Sequence, residues 1–164
     1  MRTDERRVRP NPSVGLHAHP VDEVPTLEEN LLTVSVAGKL SSGEIGEDEV
    51  LLPHPFSFLM MKLFALHDRL DDKEKDFARY HALDIYAIAA ATTENEWESA
   101  LAMRNRHRDH PFVIRAAELA HDYFSQRTSR AMIRLRESQY YRADFQIDEF
   151  TSALLELFPR RGQG

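Results

Sequence analysis

The sequence predicts an α+β, mostly α protein: a short N-terminal β segment followed by a bundle of five or six helices. Three observations carry this. From about residue 56 to residue 158, apolar residues recur at helical spacing between proline, capping and turn residues. Before residue 52 the pattern is instead short β-like runs broken by turns. The chain has 164 residues and is 42% hydrophobic, which fits one domain with a real core.

Residues 1–12 carry Arg2, Arg6, Arg7, Arg9 and two prolines, and are expected to form a disordered basic terminus. Residues 13–52 form the β segment. Within it, residues 13–19 read as a strand with Leu16 and Ala18 on one face, and residues 31–36 are the clearest strand. Residues 37–48 hold Gly38, Gly43 and Gly46 and read as turn, and residues 50–52 form a third short strand ended by Pro53 and Pro55. Three short strands make a poor independent sheet, so a partner chain or further sequence is expected to complete it.

Residues 53–159 are the helical domain. Pro55 opens a first helix that runs to about Arg69, so apolar that it should be central. A second runs from about Glu74 to Ala91, with Phe77, Tyr80, Leu83 and Ala87 near one face. Thr93 and Glu96 form a capping box that starts a third, with Trp97 and Leu101 inward. Pro111 opens a fourth, burying Phe112, Ala116, Leu119, Tyr123 and Phe124. Thr128 or Ser129 caps a fifth, with Met132 and Leu135. A sixth carries Phe150, Leu154, Leu157 and Phe158 and is stopped by Pro159; residues 160–164 are a tail.

Composition narrows the function. There is no cysteine, which excludes thiol catalysis, disulfides and cysteine-ligated metals and fits a cytoplasmic protein. The longest apolar run is cut by Lys62, so no membrane span is expected, and the charged N-terminus does not read as a signal peptide. Residues 21–50 hold eight acidic residues against one lysine, and residues 99–145 nine arginines against five acidic residues. The basic half could attract phosphate or nucleic acid, or could be solvated helix faces.

Lys62 is the one charge in the middle of the first helix, and Arg69, seven residues on, falls on nearly the same face. Lys75 and Asp76 follow at the start of the second helix. A lysine held by apolar packing beside an arginine fork suits a phosphate. The alternative is a lysine that snorkels to solvent, with Arg69 paired to Asp72 or Asp76.

The run Lys62-Leu-x-Ala, Asp68-Arg69, Lys75-Asp76-Phe77 and Leu83-Asp84-Ile85 resembles the region after the catalytic sheet in AbiEii-type nucleotidyltransferases, of the DNA polymerase β-like superfamily, which include toxins of toxin–antitoxin systems. The resemblance spans residues 52–97 and makes residues 13–52 the remnant of a nucleotidyltransferase-like core. It implies that Lys62 contacts the nucleotide triphosphate, that Lys75 supports phosphate binding or the acceptor, and that Asp76 orients or deprotonates an acceptor hydroxyl; Arg69 joins them as a phosphate ligand through its fork. An intact member would use Mg²⁺ and an NTP, with RNA or protein as acceptor. The family's Gly-Ser pair and Asp-x-Asp metal motif are absent: Ser42–Gly43 is reversed, Asp71–Asp72 is adjacent, and Glu47-Asp48-Glu49 falls in the expected turn. Transfer by this chain alone is therefore not expected. The rival reading is a non-catalytic helical interaction domain, antitoxin-like or an accessory subunit.

Lesser candidates are His17 and His19 with His54 or Asp22 as metal ligands, the His67–Asp68 and His121–Asp122 pairs, a His81–Asp84 contact, and Tyr140–Tyr141 as a stacking platform or helix-end packing.

Overall fold

A computed structural model describes residues 24–160, apart from the Lys75 side chain. The expected strand at residues 13–19, and with it His17, His19 and Asp22, lies outside the described residues. Two antiparallel strands, β1 (Leu32–Lys39) and β2 (Ile45–Leu52), lead into six helices: α1 (Pro55–Arg69), α2 (Arg79–Ala91), α3 (Glu94–His107), α4 (Pro111–Phe124), α5 (Arg130–Glu137) and α6 (Ile147–Leu157).

The strands are longer than their sequence suggests. Residues 37–39 and 45–48 belong to the ladder, with Ala37 opposite Glu47 and Gly38 opposite Gly46. Only residues 40–44 turn: the Gly43 amide donates to the Leu40 carbonyl at 2.9 Å, and Gly43 takes a φ of 91° that favours glycine. Strand alternation puts Leu32, Val34, Val36, Val50 and Leu52 on one face. Val34 is 38% and Val36 51% exposed, so that face is not covered by the described residues.

Both ends of the hairpin are anchored. Val24 and Thr26 are buried, and the Ser57 hydroxyl of α1 donates to the Thr26 carbonyl at 2.8 Å. Glu29 binds Arg106 and, at 2.7 Å, His107 of α3. At the other end, His54 caps α1, its Nδ1 accepting the Phe56 amide at 3.3 Å. His110 repeats this on Phe112 at the start of α4. The repeated His-Pro-Phe is a helix start in both places: the histidine supplies the acceptor, and proline occupies a position with no amide to satisfy. Burial holds the His54 pKa below its ordinary 6.5, against the pull of Glu96 and Glu29, so the ring stays neutral and able to accept.

Helix α1 is the centre, as its composition demands. Phe56, Leu59, Met60, Leu63 and Leu66 are fully buried, and α1 packs on α2, α3 and α4. Phe56 stacks on Phe158 with ring centroids 5.6 Å apart, closing the C-terminal end of α6 over the start of α1. The Thr93–Glu96 capping box forms in full. Ser129 sits at the N-cap of α5 without a side-chain capping bond.

The second helix departs from expectation. Residues 73–78 form a 3-10 turn, Lys73–Ala78, and α2 begins only at Arg79. Asp76, Phe77 and Ala78 all have φ between 52° and 60°. Each such residue costs about 1–2 kcal/mol, so tertiary packing must hold them. Ala78 is buried, and the Arg134 guanidinium of α5 lies 4.5 Å over the Phe77 ring. The break shifts the phase of the helix: Ala82 and Ile85 face the core, whereas Tyr80 and Ala87 are exposed.

Candidate functional site

The greasy face of α1 turns inward and leaves Lys62 at its edge, against α2. The side chain is 22% exposed. Its Nζ donates to Asp84 Oδ2 at 2.7 Å and lies 5.3 Å from the centroid of Phe58, one turn earlier on α1. Lys62 therefore does not snorkel to open solvent: an ion pair and an aromatic face hold it.

Arg69, two turns along, reaches the same helix. Its Nη1 donates to His81 Nε2 at 2.8 Å. A guanidinium can only donate, so His81 must accept at Nε2 and carry its hydrogen on Nδ1. Burial, then the nearby charges of Arg69 and Lys62, push the His81 pKa below its ordinary 6.5, against a smaller pull from Asp84. The ring is neutral at pH 7. Arg69 pairs with His81, not with Asp72 or Asp76. His81 and Asp84, one turn apart on α2, serve as two separate acceptors for the two α1 cations.

The group has a chemical meaning. An ammonium has three donors and a guanidinium five; one of each is used by Asp84 and His81. Among the described residues the two head groups make no other hydrogen bond, which leaves donors for an anion. With His81 neutral, two cations against one carboxylate leave the face with a net positive charge.

Asp76 lies with a different set. Its Oδ1 is 3.1 Å from Arg79 Nη1, and Arg79 Nε is 3.4 Å from Glu137 on α5. Glu137 also takes Arg134 at 2.6 Å, and these arginines, Arg134 first, hold its carboxyl below the usual range. Asp76, Arg79, Tyr80 and Glu137 line a small cavity of about 170 Å³ against α5. No hydrogen bond or ion pair joins Asp76 to Lys62 or Arg69 among the described residues. Lys75 has a backbone in the 3-10 turn, and its side chain is outside the described residues.

Among the described residues no group of three or more His, Asp or Glu side chains converges to hold a metal ion. Glu47 and Glu49 do alternate on a strand, not in a turn as the glycines suggested. They share one exposed face of β2 opposite Ala37 and Ser35, with no third ligand beside them. Among the described residues, the donor set does not fit a Mg²⁺ site. His67 bonds the Tyr123 hydroxyl at 2.6 Å, and Arg160 bonds Asp122 at 3.0 Å; neither His-Asp pair forms a convergent site. Tyr140 is 58% exposed and Tyr141 packs edge-on against Phe145, so the two do not form one stacking platform.

No family model, no curated protein and no solved structure matches the chain. No described helix is long and apolar enough to cross a membrane.

Proposed function

We propose that the chain is the helical portion of a nucleotidyltransferase-like protein of the AbiEii type, and that the α1–α2 face binds the phosphates of a nucleotide. The observation that supports this is the placement of Lys62 and Arg69 two turns apart along the same side of α1, each bonded to an α2 acceptor. Asp84 and His81 act as positioning residues that aim the cations at a shared anion. Asp76, which pairs with Arg79 toward α5, is on this reading the residue that orients an acceptor hydroxyl. Nucleotidyl transfer to RNA or protein needs carboxylates to hold Mg²⁺, and these come from another chain or segment. The location is cytoplasmic.

The test is equilibrium binding of labelled ATP and labelled adenosine. Phosphate recognition predicts that ATP binds and adenosine does not, and that Lys62→Met and Arg69→Met each weaken ATP about tenfold, the loss of one charge-assisted contact. Equal binding of adenosine, or full ATP affinity in both variants, overturns the reading.

A second reading, a non-catalytic interaction domain, is favoured by one observation: the exposed apolar face of the hairpin, Val34, Val36, Val50 and Leu52. It predicts that a Val34→Thr, Val36→Thr chain keeps its fold and loses a partner that would complete the sheet.

A further inference from the structure

A groove lies on another side of the bundle, between the end of α3, the middle of α4 and the chain after α6. Its volume is about 740 Å³, within the range of pockets that take small molecules. Val113, Ile114 and Ala117 of α4 and Leu157, Phe158 and Pro159 form its apolar lining.

Its lining holds three arginines and three carboxylates, but Arg115, outside the lining, takes Glu118, so one lining arginine is left over. Each of the three carboxylates there has an arginine beside it. Asp109 is 3.5 Å from Arg108, Glu118 is 2.8 Å from Arg115, and Asp122 is 3.0 Å from Arg160. Arg104, in the last turn of α3, lines the groove and has no carboxylate within ion-pair distance among the described residues. Its Nε is buried and makes no hydrogen bond. Arg79 and Arg134 also have a buried, unbonded Nε, but both have Glu137 next to them. A guanidinium nitrogen removed from water without an acceptor is costly, and the other donors of the Arg104 side chain, which lines the groove, suit an anion there.

We propose that this groove is a binding site for a small amphiphilic anion: an apolar or aromatic body lying on the α4–α6 floor, with one carboxylate, sulfonate or phosphate on Arg104. The site goes beyond the nucleotide reading and does not depend on it. Lys62 and Arg69 are not among its lining residues.

The probe is 1-anilinonaphthalene-8-sulfonate, followed by fluorescence on the full chain. Saturable binding is expected. Decanoate and decyl phosphate should displace it and decylamine should not; which of the two anions competes better identifies the preferred head group. Arg104→Met should weaken the probe about tenfold with a melting temperature no lower than the wild type's. Ala117→Phe, which fills the floor, should abolish binding, and circular dichroism checks its fold. Val36→Thr on the hairpin should change nothing. Undiminished binding in Arg104→Met, displacement by decylamine as well as by decanoate, or loss of signal in Val36→Thr places the dye elsewhere and overturns the proposal.

Discussion

Breaking the Lys62–Asp84 pair probes the α1–α2 face without touching the core. The nitrogen and oxygen are 2.7 Å apart, and the side chains are 22% and 40% exposed. Fully exposed pairs contribute about 0.2–1 kcal/mol, while removing one partner of a buried pair costs about 3–5 kcal/mol. A pair this accessible belongs near the top of the first range, so a coupling of about 1 kcal/mol follows. Lys62→Met keeps the aliphatic stem against Phe58 and isolates the charge. Asp84→Asn keeps the shape of the acceptor. Urea unfolding of the wild type, both single variants and the double variant gives the coupling directly. Asp84→Asn alone should lower the melting temperature by about 2–4 °C, less in high salt because part of the pair faces water. A coupling below about 0.3 kcal/mol, within the error of additivity, would mean that the two side chains do not hold each other, and the oriented cation face would go with them.

Other outcomes follow from the same packing. Leu63→Ala, at a fully buried position of α1, should cost about 2–5 kcal/mol in urea unfolding. Thr93→Ala removes the capping box of α3 and should cost about 1 kcal/mol. The His54 and His81 pKa values are lowered by burial, so the folded state resists their protonation. Their contribution to stability is complete above the unfolded value of 6.5 and is lost as the pH falls through the depressed folded values. His54→Asn keeps an acceptor at the cap and does not titrate, so the urea midpoint of this variant should fall less steeply on acidification than that of the wild type; equal slopes would refute the role of His54. Labelled NTP with Mg²⁺ and RNA should give no transfer by this chain alone, and robust transfer would show that its own carboxylates suffice.

Much of this fold was legible in the chain because local chemistry governs it. Pro55 and Pro111 mark helix starts, Thr93 and Glu96 satisfy each other across one turn, and Pro159 ends α6. The shared face of Lys62 and Arg69 also follows from helical spacing alone. Their acceptors did not, because Asp84 and His81 lie on another helix and only the α1–α2 packing selects them. The break at Ala78 left no signal either. No glycine or proline marks it, and Asp76, Phe77 and Ala78 adopt left-handed backbone against their own preferences because Phe77 and Ala78 find places against α5 and the core. The glycines of the β segment misled in the other direction. Gly38 and Gly46 face each other within the ladder, and Gly43 alone takes the positive φ of the turn. His54 and His110 could have been found, since the same His-Pro-Phe stands at the start of two helices.

Nuclear magnetic resonance of the labelled chain titrated with ATP locates the bound phosphates. Saturable shifts should centre on the Arg69 side chain, the C-terminal half of α1 and the first turns of α2 around His81 and Asp84, and should vanish in the Lys62→Met, Arg69→Met chain. Shifts confined to the Arg104 groove, or none at all, would contradict the assignment of this face to a nucleotide.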